Sequence, residues 1–219
     1  MSRARRALAD GLGTALLLAV VVGSGIMGER LSGGNDALAL LANSLATGFG
    51  LVALILAFGP RSGAHFNPVV TVALAMRKEF PPREVLPFIV AQFMGALLGV
   101  LAAHAMFDVS LLQLGDKARF GLAQWWSEIV ATFGLVLIVL SCDRKSAPFA
   151  IGAYIAAAYW FTASTSFANP AVTLARGFTA TFAGIQPGDV AGFVLAQVIG
   201  GAMAILVARA LFDVENRSQ

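Results

Sequence analysis

Long apolar runs separated by short polar stretches fill almost the whole chain. Six of them approach the ~20 residues that a helix needs to cross a hydrocarbon core. They cover 8–27, 38–58, 85–106, 123–141, 149–165 and 190–211. Two shorter apolar segments follow Asn67-Pro68-Val69 and Asn169-Pro170-Ala171, one between runs two and three and one between runs five and six. Asn-Pro is a helix start, because Asn caps free amides and Pro fits the first helical position without losing a bond. Each segment is too short to span a bilayer, so both are expected to be half-helices that enter the membrane and turn back. Irregular backbone at membrane depth is tolerated where it lines a water-filled cavity. The loops 59–66 and 164–168 are therefore expected to face a pore.

The pattern occurs twice. NPVVT and NPAVT lie 102 residues apart. Asp10-x-x-x-Thr14 in the first run matches Glu128-x-x-x-Thr132 in the fourth, and VAQFMG in the third matches LAQVIG in the sixth. The chain thus divides into repeats at roughly 8–106 and 123–211 within one membrane domain, 1–219. Three spans per half make the second half enter from the opposite face, and this inverted arrangement puts a site near the midplane where the broken helices meet. The expected class is an all-α membrane protein of six transmembrane helices plus two re-entrant half-helices.

Composition agrees with this setting. Hydrophobic residues make up 58% of the 219 and charged residues 12%, with a mean hydropathy of +0.79. Basic residues are scattered among the loops, so the net charge of +3 is no nucleic-acid signal. Counted by side, eleven Lys and Arg fall with the two termini, and Arg30, Lys117 and Arg119 fall opposite. That asymmetry places both termini in the cytoplasm. MSRARR before an apolar run also has the form of a signal peptide, but the run has a counterpart in the fourth span and belongs to the repeat. Cys142 is the single cysteine, and His65 and His104 are the two histidines. No disulfide, metal cluster, cofactor site or catalytic triad is expected, and no enzyme.

The doubled Asn-Pro motif, Ser62-Gly63-Ala64-His65-Phe66 before its first copy, and the acids Asp10 and Glu128 together resemble the aquaporins, or major intrinsic proteins. The resemblance covers roughly residues 8 to 211. It implies six tilted helices, two half-helices, one pore per protomer and a homotetramer in the cell membrane. It implies that Asn67 and Asn169 meet at the midplane and offer amide donors to a passing oxygen. The half-helix N-termini behind them add partial positive charge, which disfavours cations and protons. It also implies that Asp10 and Glu128 brace the two loops, with His65 as a further brace. Asp10 is one methylene shorter than the usual Glu, which leaves its reach toward the His65 loop open.

The selectivity filter departs from the family. An Arg commonly follows the second Asn by three residues, and Val172 stands there. Family spacing puts Thr47, Ser166 and a residue of the fifth span at the other filter positions. That residue is Tyr159 if the helix keeps register and the next loop is shorter, or Ala157 if one counts back from Asn169; the former is preferred. Losing the guanidinium removes a fixed charge and five donors. Glycerol facilitators usually follow their Arg with Asp, where Thr173 stands here. A small bacterial branch with Val in place of the Arg is associated with arsenic resistance, and arsenous acid is an uncharged, three-hydroxyl solute. The expectation is a passive channel for neutral metalloid acids such as arsenite, with water and small polyols. Alternatives are an ordinary water or glycerol channel and a secondary transporter. Arg176, one turn beyond Val172, either leans back toward the filter in the outer vestibule or snorkels to headgroups or loop carbonyls; the latter is preferred.

Overall fold

A computed structural model describes residues 1–212. The end of the expected 1–219 domain, including Arg217, lies outside the described residues. Among the described residues there are eight α-helices and no strand. They are α1 Arg3–Leu31, α2 Asp36–Ser62, α3 Pro68–Met76, α4 Pro82–Met106, α5 Leu122–Ser141, α6 Ala147–Phe161, α7 Pro170–Arg176 and α8 Val190–Phe212, the last preceded by a single 3-10 turn, Pro187–Asp189.

Among the described residues, five helices are long and apolar enough to cross a membrane: α1, α2, α4, α5, and α8 with its leading turn. The fifth expected span is shorter than its apolar run. It starts earlier, at Ala147, and stops at Phe161 after 15 residues, about 22 Å against a core of ~30 Å. Thr162 is already extended, and Thr165 and Ser166 take left-handed φ angles of 60° and 51°, which no α-helix accommodates. Conversely, α2 continues through Pro60 to Ser62 and is closed by Gly63 at φ 95°. The first loop is therefore 63–66 rather than 59–66.

The helices pair as an internal twofold would pair them. α1 packs along α4 and α5 along α8; α2 meets α6, and α3 meets α7. Each half-helix also docks on the last helix of the other repeat, α3 on α8 and α7 on α4. The closest crossings run backbone to backbone. A Cβ on Gly95 would lie 2.0 Å from the Gly11 carbonyl oxygen, and one on Gly200 would lie 2.4 Å from that of Ile129. Small residues at these crossings allow close packing where lipid offers no hydrophobic drive for helices to associate. Leu8, Leu12, Phe49, Leu98 and Leu206 point outward, as an apolar solvent permits.

Candidate functional site

The two loops share one construction. Asp10 accepts hydrogen bonds from the Ser62 hydroxyl at 2.9 Å, the His65 and Phe66 amides at 2.9 and 3.1 Å, and Gln92 Nε2 at 2.8 Å. Glu128 accepts from the Ser164 hydroxyl at 2.5 Å, the Phe167 and Ala168 amides at 2.8 Å each, and Gln197 Nε2 at 2.6 Å. Two consecutive amides aimed at one carboxylate form an anion nest. Ala64 and Phe66 in the first loop, and Ser166 and Ala168 in the second, hold positive φ near 50°. Such non-glycine conformations cost ~1–2 kcal/mol each, and the buried acids hold them in place. Each Gln also donates to a Thr hydroxyl, Thr71 or Thr173, at 2.9 and 2.7 Å. That Thr in turn donates to the carbonyl of Asn67 or Asn169. The sequence already signalled these partners: Ser62/Ser164 and Thr71/Thr173 obey the same 102-residue spacing as the asparagines. His65 adds Nδ1 to Thr71 Oγ1 at 3.1 Å and packs its ring on Phe80 and Phe88.

Asn67 and Asn169 cap α3 and α7, their Oδ1 atoms accepting from the amides of Val69 and Ala171 at 2.9 Å. Pro68 and Pro170 take the first helical positions. Each Asn also reaches the opposite loop. Asn67 Nδ2 donates to the Ala168 carbonyl and Asn169 Nδ2 to the Phe66 carbonyl, both at 2.8 Å. One of the two amide hydrogens on each Asn is thus engaged by the protein, and the other has no partner among the described residues. Both asparagines line a cavity of about 910 Å³. Arg61, in the last turn of α2, and Arg144, in the segment that joins α5 to α6, line it too, as do Thr47, Tyr159, Ser166 and Val172.

These last four residues lie together. Thr47 Oγ1 and the Tyr159 hydroxyl are 3.2 Å apart, all four are buried, and the buried Ser166 Oγ has no hydrogen-bond partner. Ala157 is exposed on the outer surface of α6. Of the two targets expected for a snorkelling Arg176, headgroups or loop carbonyls, the side chain meets a loop carbonyl. It is 2% exposed, donates from Nε to the Ala183 carbonyl, and lines the same cavity. The cavity lined by these four residues is therefore lined by a buried cation as well. Sequence reasoning passed over Arg119, which is also buried. It donates from Nε to the Gly184 carbonyl at 3.0 Å and from Nη1 to the Ser164 carbonyl at 3.1 Å. Burial lowers its pKa to about 10, so it stays charged at neutral pH.

A family model described as "Major intrinsic protein" matches residues 1–157. The chain is 52% identical over 212 residues to the aquaglyceroporin AqpS of Rhizobium meliloti, covering 95% of this chain and 91% of that one. It is 29% identical over 219 residues to human aquaporin-1, covering 93% and 80%. Its fold is similar to that of the aquaglyceroporin from Plasmodium falciparum, with a TM-score of 0.74, 17% identity, and coverage of 99% of this chain and all of that one. Twin half-helices capped by Asn, nested on buried acids and opening on one cavity, together with these matches, lead to one conclusion: the chain belongs to the major intrinsic protein family, the aquaporin and aquaglyceroporin channels for water and small solutes.

Proposed function

We propose that the chain is a passive channel for neutral metalloid acids such as arsenite, passing water and small uncharged solutes as well. The observation that carries this reading is Val172 lining the cavity at the position where the family's filter Arg commonly stands. An isopropyl group there leaves room and removes five competing donors. Thr47, Tyr159 and Ser166 supply hydroxyls that can exchange hydrogen bonds with a compact triol. The similarity to an aquaglyceroporin at 52% identity supports a solute channel over a water-only one. Asp10 and Glu128 are fully engaged in holding loops, which leaves neither free to couple ions as a secondary transporter would require. On the family resemblance, Asn67 and Asn169 act as the midplane donors, and the protomers assemble as a homotetramer. The basic-residue asymmetry orients both termini to the cytoplasm of a bacterial inner membrane.

Proteoliposomes carrying the purified protein test the reading. Arsenite uptake is expected to exceed that of empty vesicles, rise linearly with gradient, and persist after an ionophore collapses the membrane potential. Uptake equal to empty vesicles would remove the metalloid reading. Flux that saturates and stops with the ionophore would favour a transporter.

A further inference from the structure

Two guanidinium groups converge on Phe167, two residues before Asn169. The Cζ of Arg176 lies 3.3 Å from the ring centroid and that of Arg119 lies 4.9 Å from it. Arg176 belongs to the turn of α7 after Val172, and its side chain leans back along the helix until the head covers the loop that leads into α7. The carbonyls of Ala183, Gly184 and Ser164 hold the two cations. No ion pair within 4 Å involves either of them among the described residues. The acids nearby are Asp189, whose carboxylate accepts from the Arg119 backbone amide at 2.7 Å, and Glu128, whose oxygens are already occupied by Ser164, Phe167, Ala168 and Gln197. Of the five Arg176 donors only Nε–H is engaged by a described residue. The buried Ser166 Oγ, without a partner, lines the same cavity. A fixed charge in the wall of a cavity enclosed by low-dielectric protein acts on an entering ion more strongly than it would in bulk water.

We propose that Arg176, positioned with Arg119 against Phe167, is a cation- and proton-excluding residue of this pore, adding to the half-helix N-termini the fixed positive charge that Val172 does not provide. This rests on reading the chain as a solute channel, but not on arsenite being the solute. The sign follows from Coulomb's law: removing the charge admits cations.

The test uses purified protein in vesicles loaded with a pH-sensitive dye, with potassium and valinomycin setting the driving potential. Arsenite and water flux are recorded on the same preparations. Arg176→Ala is expected to raise proton leak roughly tenfold over the wild type. Arg119→Gln, which keeps donors but drops charge, is expected to give a smaller rise. The double variant Val172→Arg with Arg176→Ala returns a charge three residues after Asn169, and its leak is expected to fall back toward wild type. That rescue separates lost charge from lost structure. An Arg176→Ala channel as proton-tight as wild type would overturn the proposal, as would a leak that Val172→Arg leaves unrelieved. Wild-type vesicles that take up no arsenite while the leak series behaves as described would refute the metalloid reading alone.

Discussion

Asp10 reaches the same two loop amides that Glu128 reaches in the other repeat, with one methylene fewer. Gly13, three residues later, gives the physical reason. A Cβ there would lie 2.0 Å from the Phe66 ring, so the missing side chain lets α1 settle onto the loop. The corresponding residue in the second repeat is Ala131, and there the loop carries the small Ala168 in place of Phe66. Acid length, helix approach and loop bulk change together. Gly13→Ala is accordingly expected to destabilise the protein by ~1–3 kcal/mol through overpacking, seen as a lower midpoint of thermal unfolding in detergent. Adding Phe66→Leu is expected to recover part of that loss. A Gly13→Ala protein as stable as wild type would contradict the coupling.

Among the elements, the half-helices were the most legible in sequence, because everything that defines them is local. Asn caps, Pro begins, and the apolar run ends within three turns. The acids and glutamines were legible through duplication rather than through any single motif. The extent of α6 was not: apolarity shows how far the chain tolerates lipid, whereas the helix stops where Thr162 becomes extended. Arg119 was not legible either. It sits in a loop without motif, and its burial depends on carbonyls 45 and 65 residues away. The glycines at helix crossings give a sharp contrast to test. Gly95→Leu would drive side chain into the Gly11 carbonyl and is expected to abolish folded protein on size-exclusion chromatography. Gly59→Ala, in α2 with open space around it, is expected to hold or gain up to ~1 kcal/mol.

At the scale of the whole molecule, the two halves cooperate rather than merely repeat. Each Asn is tied to the other half's loop carbonyl, and each half-helix rests on the other half's last helix. Neither repeat completes the site alone. The proposed orientation has its own test, because Cys142 is the single cysteine and is partly exposed between α5 and α6. A membrane-impermeant maleimide is expected to leave it unlabelled in intact cells and to label it in inverted membrane vesicles; the reverse pattern would turn the channel over.

The most direct measurement is the ratio of arsenite to water permeability in proteoliposomes, for wild type and for Val172→Arg, by stopped-flow light scattering with arsenite uptake alongside. The proposed placing of Val172 at a constriction predicts a measurable wild-type ratio that falls at least about tenfold when Arg fills the gap, since steric fit and lost solute hydrogen bonds together exceed ~1.4 kcal/mol. A ratio unchanged by Val172→Arg would contradict the assignment of residue 172 to the narrowest part of the pore.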